Sequence, residues 1–395
     1  MSSSLPLDIL MEILRRLPVS SLLRFRCASQ AWRSLIASSY LVKIHLARSI
    51  EENNLMIILM EKELVGDRLD SFIESAHIYA VDDDKDNGLV QIKQRFQPFE
   101  SCRNRATRVH GSCNGVVLCS DCFCEQPYMI GSPLSGYCKC ETPLKIWNPL
   151  TEKCYTLPPR SATIVRSRTT IHGSYFYYDA SSNSHKLLAK VPDPVHDTWH
   201  LKLYNLETDR LTTVYSLAQH VPSVPKECVL VSGSVLCWTA RVSGCEGDLF
   251  AFDLRTEEYY GLPLPDVSYY MAFWEVVGVF DGCLTVSCFF LEDEHMDKFA
   301  YEIWMMEEFG VRESWTKLLS FKKDYSMHDL HDPHPLAYSK KRDKVLLECG
   351  GSYSKLFWYD LNQKKLVEVE FPSVHRRSYY PAKVCVASMV DFQSN

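Results

Sequence analysis

Apolar residues recur at helical spacing from the start of the chain. Leu5, Ile9, Leu10, Ile13, Leu14 and Leu17 fall on one face of a helix, with Glu12, Arg15 and Arg16 away from it. Pro18 ends that helix, and Asp8 suits its positive end. The next helix opens at Val19-Ser20-Ser21, with Ser20 as its N-cap, and runs through Leu22, Leu23, Arg26 and Cys27. A third carries Trp32, Leu35 and Ile36. Three short helices over about 40 residues bury little core of their own. They are either a cap on the larger remainder or a docking module whose apolar surface belongs to another protein.

Near residue 50 the period changes. Short aromatic and β-branched runs alternate with Gly, Asp, Asn and Pro turns, which predicts strands. One unit recurs: an aromatic strand, a polar turn, then a second strand. It reads LKIWNPLTEKCYTLP, LKLYNLETDRLTTV, LFAFDLRTEEYYGLP and LFWYDLNQKKLVEVEF, with weaker copies at YEIWMMEEFGVRESWTKLL and HIYAVDDDKDNGLVQIK. The anchors Tyr79, Trp147, Tyr204, Phe252, Trp304 and Trp358 stand at kelch-like intervals of roughly 50 residues. In four copies a turn residue follows the anchor closely: Asn148, Asn205, Asp253 and Asp360. Six units predict an all-β, six-bladed kelch-like propeller, with an irregular β-sandwich as the alternative. A ring must hide its first and last edges. LMIILM at 55–60 and AKVCVASMVDF at 382–392 are expected to share one blade and close it.

Two resemblances follow from these residues. The run Leu5-Pro6-x-Asp8-Ile9-Leu10-x-Glu12-Ile13-Leu14-x-Arg16-Leu17-Pro18-Val19, then Ser21-Leu22-Leu23-Arg24-Phe25-Arg26-Cys27 and Trp32-Arg33-Ser34-Leu35-Ile36, resembles a plant F-box. The match loosens over SSYLVKIHLARS, where Leu41 stands in place of the family's usual Phe. The resemblance implies a module over 1–45 that binds a Skp-type adaptor, and through it a cullin and a RING protein. Carried over position by position, the implied contacts are Leu5, Pro6, Ile9, Leu10, Ile13, Leu14, Pro18 and Leu22. Leu23, Cys27, Trp32 and Leu35 join them from the second and third helices, where core and interface roles overlap. Residues 46–395 resemble the F-box-associated domain, through HGSCNGVVLC at 110–119, IWNPLTEKCYTLPP at 146–159, FYYDASSNSHKLLAK at 176–190 and LYNLETDRL at 203–211. Gly173 lies three residues ahead of Phe176, a small departure from that family's pattern. The resemblance implies substrate recognition by this domain without fixing the substrate.

Charge and chemistry narrow the rest. The net charge is -6 and the basic pairs are scattered, a poor base for phosphate-backbone binding, so no nucleic-acid partner is expected. No apolar run approaches the roughly 20 residues that span a bilayer, and the first residues, interrupted by Pro6 and Asp8, are not expected to act as a secretory leader. No membrane partner is expected, and the expected location is the cytoplasm and/or nucleus. There the 16 cysteines are reduced thiols. Cys113, Cys119, Cys122, Cys124, Cys138 and Cys140 come nearest to a zinc spacing. Their spacing is imperfect, so a long loop with free thiols is the simpler reading, and Cys113 and Cys119 are expected in blade packing. MHDLHDPHP at 327–335 reads first as a polar loop. No phosphate loop, dinucleotide fingerprint, nucleophile elbow or His-Glu-x-x-His signature occurs. No catalytic residue, metal or cofactor is assigned.

The sequence thus predicts a non-catalytic receptor subunit of a cullin–RING ubiquitin ligase. The front helices hold the adaptor, the propeller holds an unidentified protein target, and proximity supplies the catalysis. A propeller scaffold acting outside a ligase is the alternative. Candidate target-binding connections are 121–143, 160–174, 192–199, 219–226, 266–273 and 325–338, with Trp199, Tyr269, Tyr270 and Trp274 as candidate anchors.

Overall fold

The computed structural model describes residues 5–64, 72–81, 88–96, 105–123, 144–158, 174–193, 198–217, 228–240, 248–267, 271–291, 299–323, 331–350, 355–369, 378–379 and 382–392. Four helices come first: α1 (Leu7–Leu14), α2 (Val19–Phe25), α3 (Gln30–Ile36) and α4 (Ser39–Glu51). Pro6 and Pro18 occupy the N-cap positions of α1 and α2. There the proline ring's fixed φ suits helix entry and its missing N–H costs nothing. Pro18 therefore opens the second helix, and Ser20, the expected cap, lies inside it. Serines cap the other two: Ser29 Oγ accepts from Trp32 N at 3.2 Å, and Ser38 Oγ from Leu41 N at 3.3 Å. The fourth helix is an addition to the three expected. Its fully buried positions are Leu41, His45 and Ser49, with Val42 and Ile44 packed beside them; two polar residues at the deepest positions weaken the hydrophobic period.

The remainder is six antiparallel blades, as the repeat predicted, five of them four-stranded and one of five strands. The first blade holds β1 (Leu55–Leu64), β2 (Phe72–Val81) and β3 (Leu89–Phe96). The second holds β4 (Arg105–Cys113), β5 (Val116–Phe123), β6 (Leu144–Trp147) and β7 (Cys154–Thr156), and the third β8 (Ser174–Asp179), β9 (Ser184–Asp193), β10 (Thr198–Asn205) and β11 (Arg210–Leu217). The fourth holds β12 (Val229–Val231), β13 (Val235–Ala240), β14 (Asp248–Asp253) and β15 (Glu258–Leu262). The fifth holds β16 (Met271–Phe280), β17 (Cys283–Leu291), β18 (Phe299–Met306) and β19 (Trp315–Lys323), and the sixth β20 (His334–Tyr338), β21 (Lys344–Cys349), β22 (Lys355–Asp360) and β23 (Lys365–Glu368). Two late strands, β24 (Ser378–Tyr379) and β25 (Lys383–Val386), return to pair with β1. The register Leu55↔Val386 to Ile58↔Lys383 closes the ring between the two segments expected to close it.

All six aromatic anchors sit in the third strand of a blade. Each blade presents an apolar face to both neighbours, and six buried clusters fill the six gaps. Leu284, Val286 and Cys288 face the fourth blade, for example, while Tyr301 and Ile303 face the sixth. The outer strands are largely exposed.

The turn after four of the six anchors is a repeated device. Asn148, Asn205, Asp253 and Asp360 each turn a side-chain oxygen back to a following N–H, at 2.8–3.0 Å (Leu150, Thr208, Arg255 and Gln363). Four residues on, Glu152, Asp209, Glu257 and Lys364 take a positive φ, which supplies the left-handed step joining the two strands. These turns, with the first-to-second connections such as Asn114-Gly115, leave one rim of the ring. Antiparallel pairing sends the second-to-third and blade-to-blade connections to the opposite rim.

Candidate interaction surfaces

Helix α1 is apolar on two sides. Leu10, Met11 and Leu14, with Leu17 just past the helix, turn inward and pack with Val19, Leu22, Ile36 and Leu41. Leu5, Ile9 and Ile13, spaced by four, form an outward stripe that is 58%, 49% and 44% exposed; Leu7, 59% exposed, stands at the open start of the inward face, in helical step with Leu10, Met11 and Leu14. The single face read from sequence is therefore two faces, one satisfied within the chain and one open to water. A helix apolar on both sides belongs in a buried setting, and contiguous exposed apolar surface marks an interaction site.

Charge borders the stripe. The Arg15 and Arg16 guanidiniums each donate to Glu12 Oε1 at 2.9 Å. These bonds hold the Glu12 carboxyl at about 2, so it stays ionised. Asp8, Ile9, Glu12, Ile13 and Arg16 line one shallow depression. Phe25 adds a further exposed ring, 5.8 Å from Trp32.

The twelve residues carried over by resemblance fall into three groups. Leu5, Pro6, Ile9, Ile13, Pro18 and Cys27 are exposed; Leu10, Leu23, Trp32 and Leu35 are half-buried against the helical core; Leu14 and Leu22 are buried within it. Leu14 and Leu22 can support the surface but do not form it. Leu7 and Phe25 are exposed apolar neighbours missing from that set. Spacing did not mark Leu7, which keeps the helical step of Leu10 and Leu14 and is exposed because it stands in the first turn of α1.

The candidate target anchors fare differently. Trp274 is 4% exposed and packs between the fourth and fifth blades, so it is a core residue rather than an exposed anchor. Its pairing opposite Cys288 turns it into that inter-blade core. Trp199 lies near the start of β10, where this strand leaves the long-connection rim. Tyr269 and Tyr270 lie outside the described residues. Most residues of the six candidate connections do too, but the strands they join all end at that same rim. On an outer strand, Tyr259 and Tyr260 are exposed, with Tyr259 stacked on Phe250 at 5.3 Å.

Among the described residues, no group of three or more His, Cys, Asp or Glu is placed to hold a metal ion. Cys124, Cys138 and Cys140 lie outside them. Cys113 packs between the second and third blades and Cys119 between the first and second. Burial pushes the Cys113 thiol up to about 12, which makes it a poor metal ligand and a poor nucleophile. His331 and His334, at the end of the histidine-rich stretch, do different things. His331 offers its carbonyl to Gly350 N, and His334 Nε2 pairs with the buried Glu348 carboxylate at 2.9 Å.

Comparison with known proteins agrees with this architecture. The F-box domain family matches residues 2–44, and the family described as F-box associated beta propeller domain matches 82–391. The chain is 26% identical to F-box protein CPR1 of Arabidopsis thaliana, over 98% of this chain and 89% of that one. It is 25% identical to the F-box/kelch-repeat protein At3g23880 of the same plant, over 80% and 79%. Among solved structures, a chain of the nidogen/laminin complex aligns over 84% of this chain and 99% of its own, with a TM-score of 0.42 and 8% identity. With an F-box at its front and a six-bladed ring filling the rest, the chain belongs to the F-box proteins that carry an F-box associated beta propeller domain.

Proposed function

We propose that the protein is a substrate-receptor subunit of an SCF-type cullin–RING ubiquitin ligase. The helical module, whose fourth helix runs on past residue 45 to Glu51, docks a Skp-type adaptor, which links a cullin and a RING protein; the propeller that starts at Leu55 captures a protein target for ubiquitination. The observation that carries this reading is the Leu5, Ile9 and Ile13 stripe, left open to water while Leu14 on the opposite face is buried and Leu10 and Met11 pack half-buried against the helical core. Family membership supports it, since the stripe lies within the matched F-box. Target capture fits the long-connection rim, the side at which described strands of all six blades end. Chemistry then resides in the partners, and this chain acts by holding a target near them. That role places it in the cytoplasm and/or nucleus.

Co-purification with a Skp-type adaptor tests the reading. Ile9→Asp with Ile13→Asp should abolish binding while the ring stays folded. These exposed positions are a cleaner test than Leu14, whose replacement would unfold the helices. Undiminished capture by the double variant would sink the docking claim.

A further inference from the structure

Beyond β25, residues 387–392 cross the short-turn rim and touch four parts of the molecule. Ala387 N donates to Asn54 O at 2.9 Å, just after α4. Ser388 is fully buried; its Oγ donates to Asn114 O at 2.8 Å and accepts from Val390 N at 3.1 Å. Asn148 Nδ2 donates to Ser388 O at 3.2 Å and to Val390 O at 2.8 Å. Tyr155 Oη donates to Asp391 at 2.5 Å, and Lys153 pairs with the same carboxylate. Phe392 enters the core between the second and third blades, and Met389 enters the core of the helical module, where Leu150 also packs.

The seat for this segment is made by two stretches the repeat alone did not require. Asn114-Gly115 turns β4 into β5, and a Cβ on Gly115 would stand 2.0 Å from Ser388 Oγ and 2.8 Å from Val386 O. Asn148 divides its amide: Oδ1 shapes its own turn, and Nδ2 grips the segment. The other turn residues of the repeat, Asn205, Asp253 and Asp360, perform the first task; Asn148 performs both.

We propose that residues 387–392 form a strap that fixes the helical module against the short-turn rim, with Asn148 as its clasp and Met389 as its anchor. The strap sets the direction of the exposed α1 stripe relative to the propeller and leaves the long-connection rim facing away from the helices. This goes beyond the receptor reading, and its test requires no partner.

The test is the spread of distances between spin labels carried on a non-natural ketone side chain, which spares the native thiols. One label replaces the exposed Tyr40 on α4 and the other the exposed Val367 on β23; a control pair uses Val279 and Val367, both in the ring. Asn148→Asp keeps the turn acceptor but sets a carboxylate against two carbonyl oxygens. Met389→Ala removes the anchor from the other side. Each variant should widen the Tyr40–Val367 distribution about twofold, the mark of a domain freed to hinge, and leave the control pair narrow. A Tyr40–Val367 distribution as narrow as the parent's in both variants would overturn the proposal. So would equal widening of both pairs, which would make the segment a ring-closing element only.

Discussion

Exchanging Ile9 and Ile13 together for alanine should weaken adaptor binding without weakening the fold. They are 49% and 44% exposed in the free chain, so about half of each side chain remains to be covered by a partner. Full burial of an isoleucine is worth ~1.5–3 kcal/mol, which leaves ~1 kcal/mol at each position and ~2 for the pair. At ~1.4 kcal/mol per decade, the double alanine variant should raise Kd roughly 30-fold. Aspartate at both positions adds carboxylates that docking would bury unpaired, and should remove measurable binding. Titration calorimetry against a purified Skp-type adaptor reads the first effect. Thermal melting of the free variant should stay within ~0.5 kcal/mol of the parent, as for other surface changes. Leu14→Ala supplies the contrast: at 1% exposure it should cost ~2–5 kcal/mol of helical-module stability. A Kd within about twofold of the parent's for the double alanine variant would refute the outward stripe as the docking face, whatever Leu14 does.

Three further outcomes are expected. Gly115→Ala places a methyl group against Ser388 and Val386 at a φ of +82°, so it should lower the melting temperature by an amount equivalent to several kcal/mol; a melt unchanged from the parent's would contradict the packing described. His45 Nε2 bonds Leu17 O at 2.9 Å, and burial lowers its pKa below the ordinary 6.5. The unfolded chain then binds a proton that the folded chain refuses, so this stability is present above pH 6.5 and is lost as pH falls below it. His45→Gln should flatten the slope of melting temperature between pH 7.5 and 5.5, and an unchanged slope would count against the assignment. Burial also pushes the Cys237 and Cys385 thiols up to about 12, whereas Cys27 and Cys154 are exposed. Timed alkylation at pH 8 followed by mass spectrometry should mark Cys27 and Cys154 first and reach Cys237 and Cys385 only on unfolding; equal rates would be the contrary result.

The ring was legible because its signals are local. An aromatic anchor, a polar turn and a second strand lie within about a dozen residues, and four of the copies share an Asx turn as well. Even closure could be read, since two apolar edges needed covering and the chain offered one near each end. The fourth helix was not, because its buried positions His45 and Ser49 are polar and weaken the period that reveals a helix. The two faces of α1 could not be separated either. Apolar residues face inward and outward alike, and only the positions of Val19, Ile36 and Leu41 decide which side is covered. Trp274 shows the same limit in the ring: large aromatics serve both interfaces and blade cores, and sequence spacing does not tell them apart. The strap escaped notice for a different reason. Its partners, Asn114, Asn148 and the helical core, lie more than 230 residues away in the chain.

That separation has a consequence for folding. Contacts between the chain's two end regions are the most non-local in the molecule, and such contacts form late because loop closure precedes their reward. Two structures wait on the same segment: β1 for its partner strand and the helical module for Met389. A chain ended at residue 377 would lose Ala382, Cys385, Met389 and Phe392 from four different cores. At ~1.5–3 kcal/mol for each large side chain the loss is on the order of 6 kcal/mol, comparable to the whole stability of a typical domain. It would also bare the Leu55–Ile58 edge, an apolar strand edge of the kind that pairs with other chains. Such a chain should aggregate on expression, and its helices should exchange amide hydrogen faster than in the full chain. A soluble, monomeric product with fully protected helices would show that the helical module and the ring fold independently of their shared closing segment.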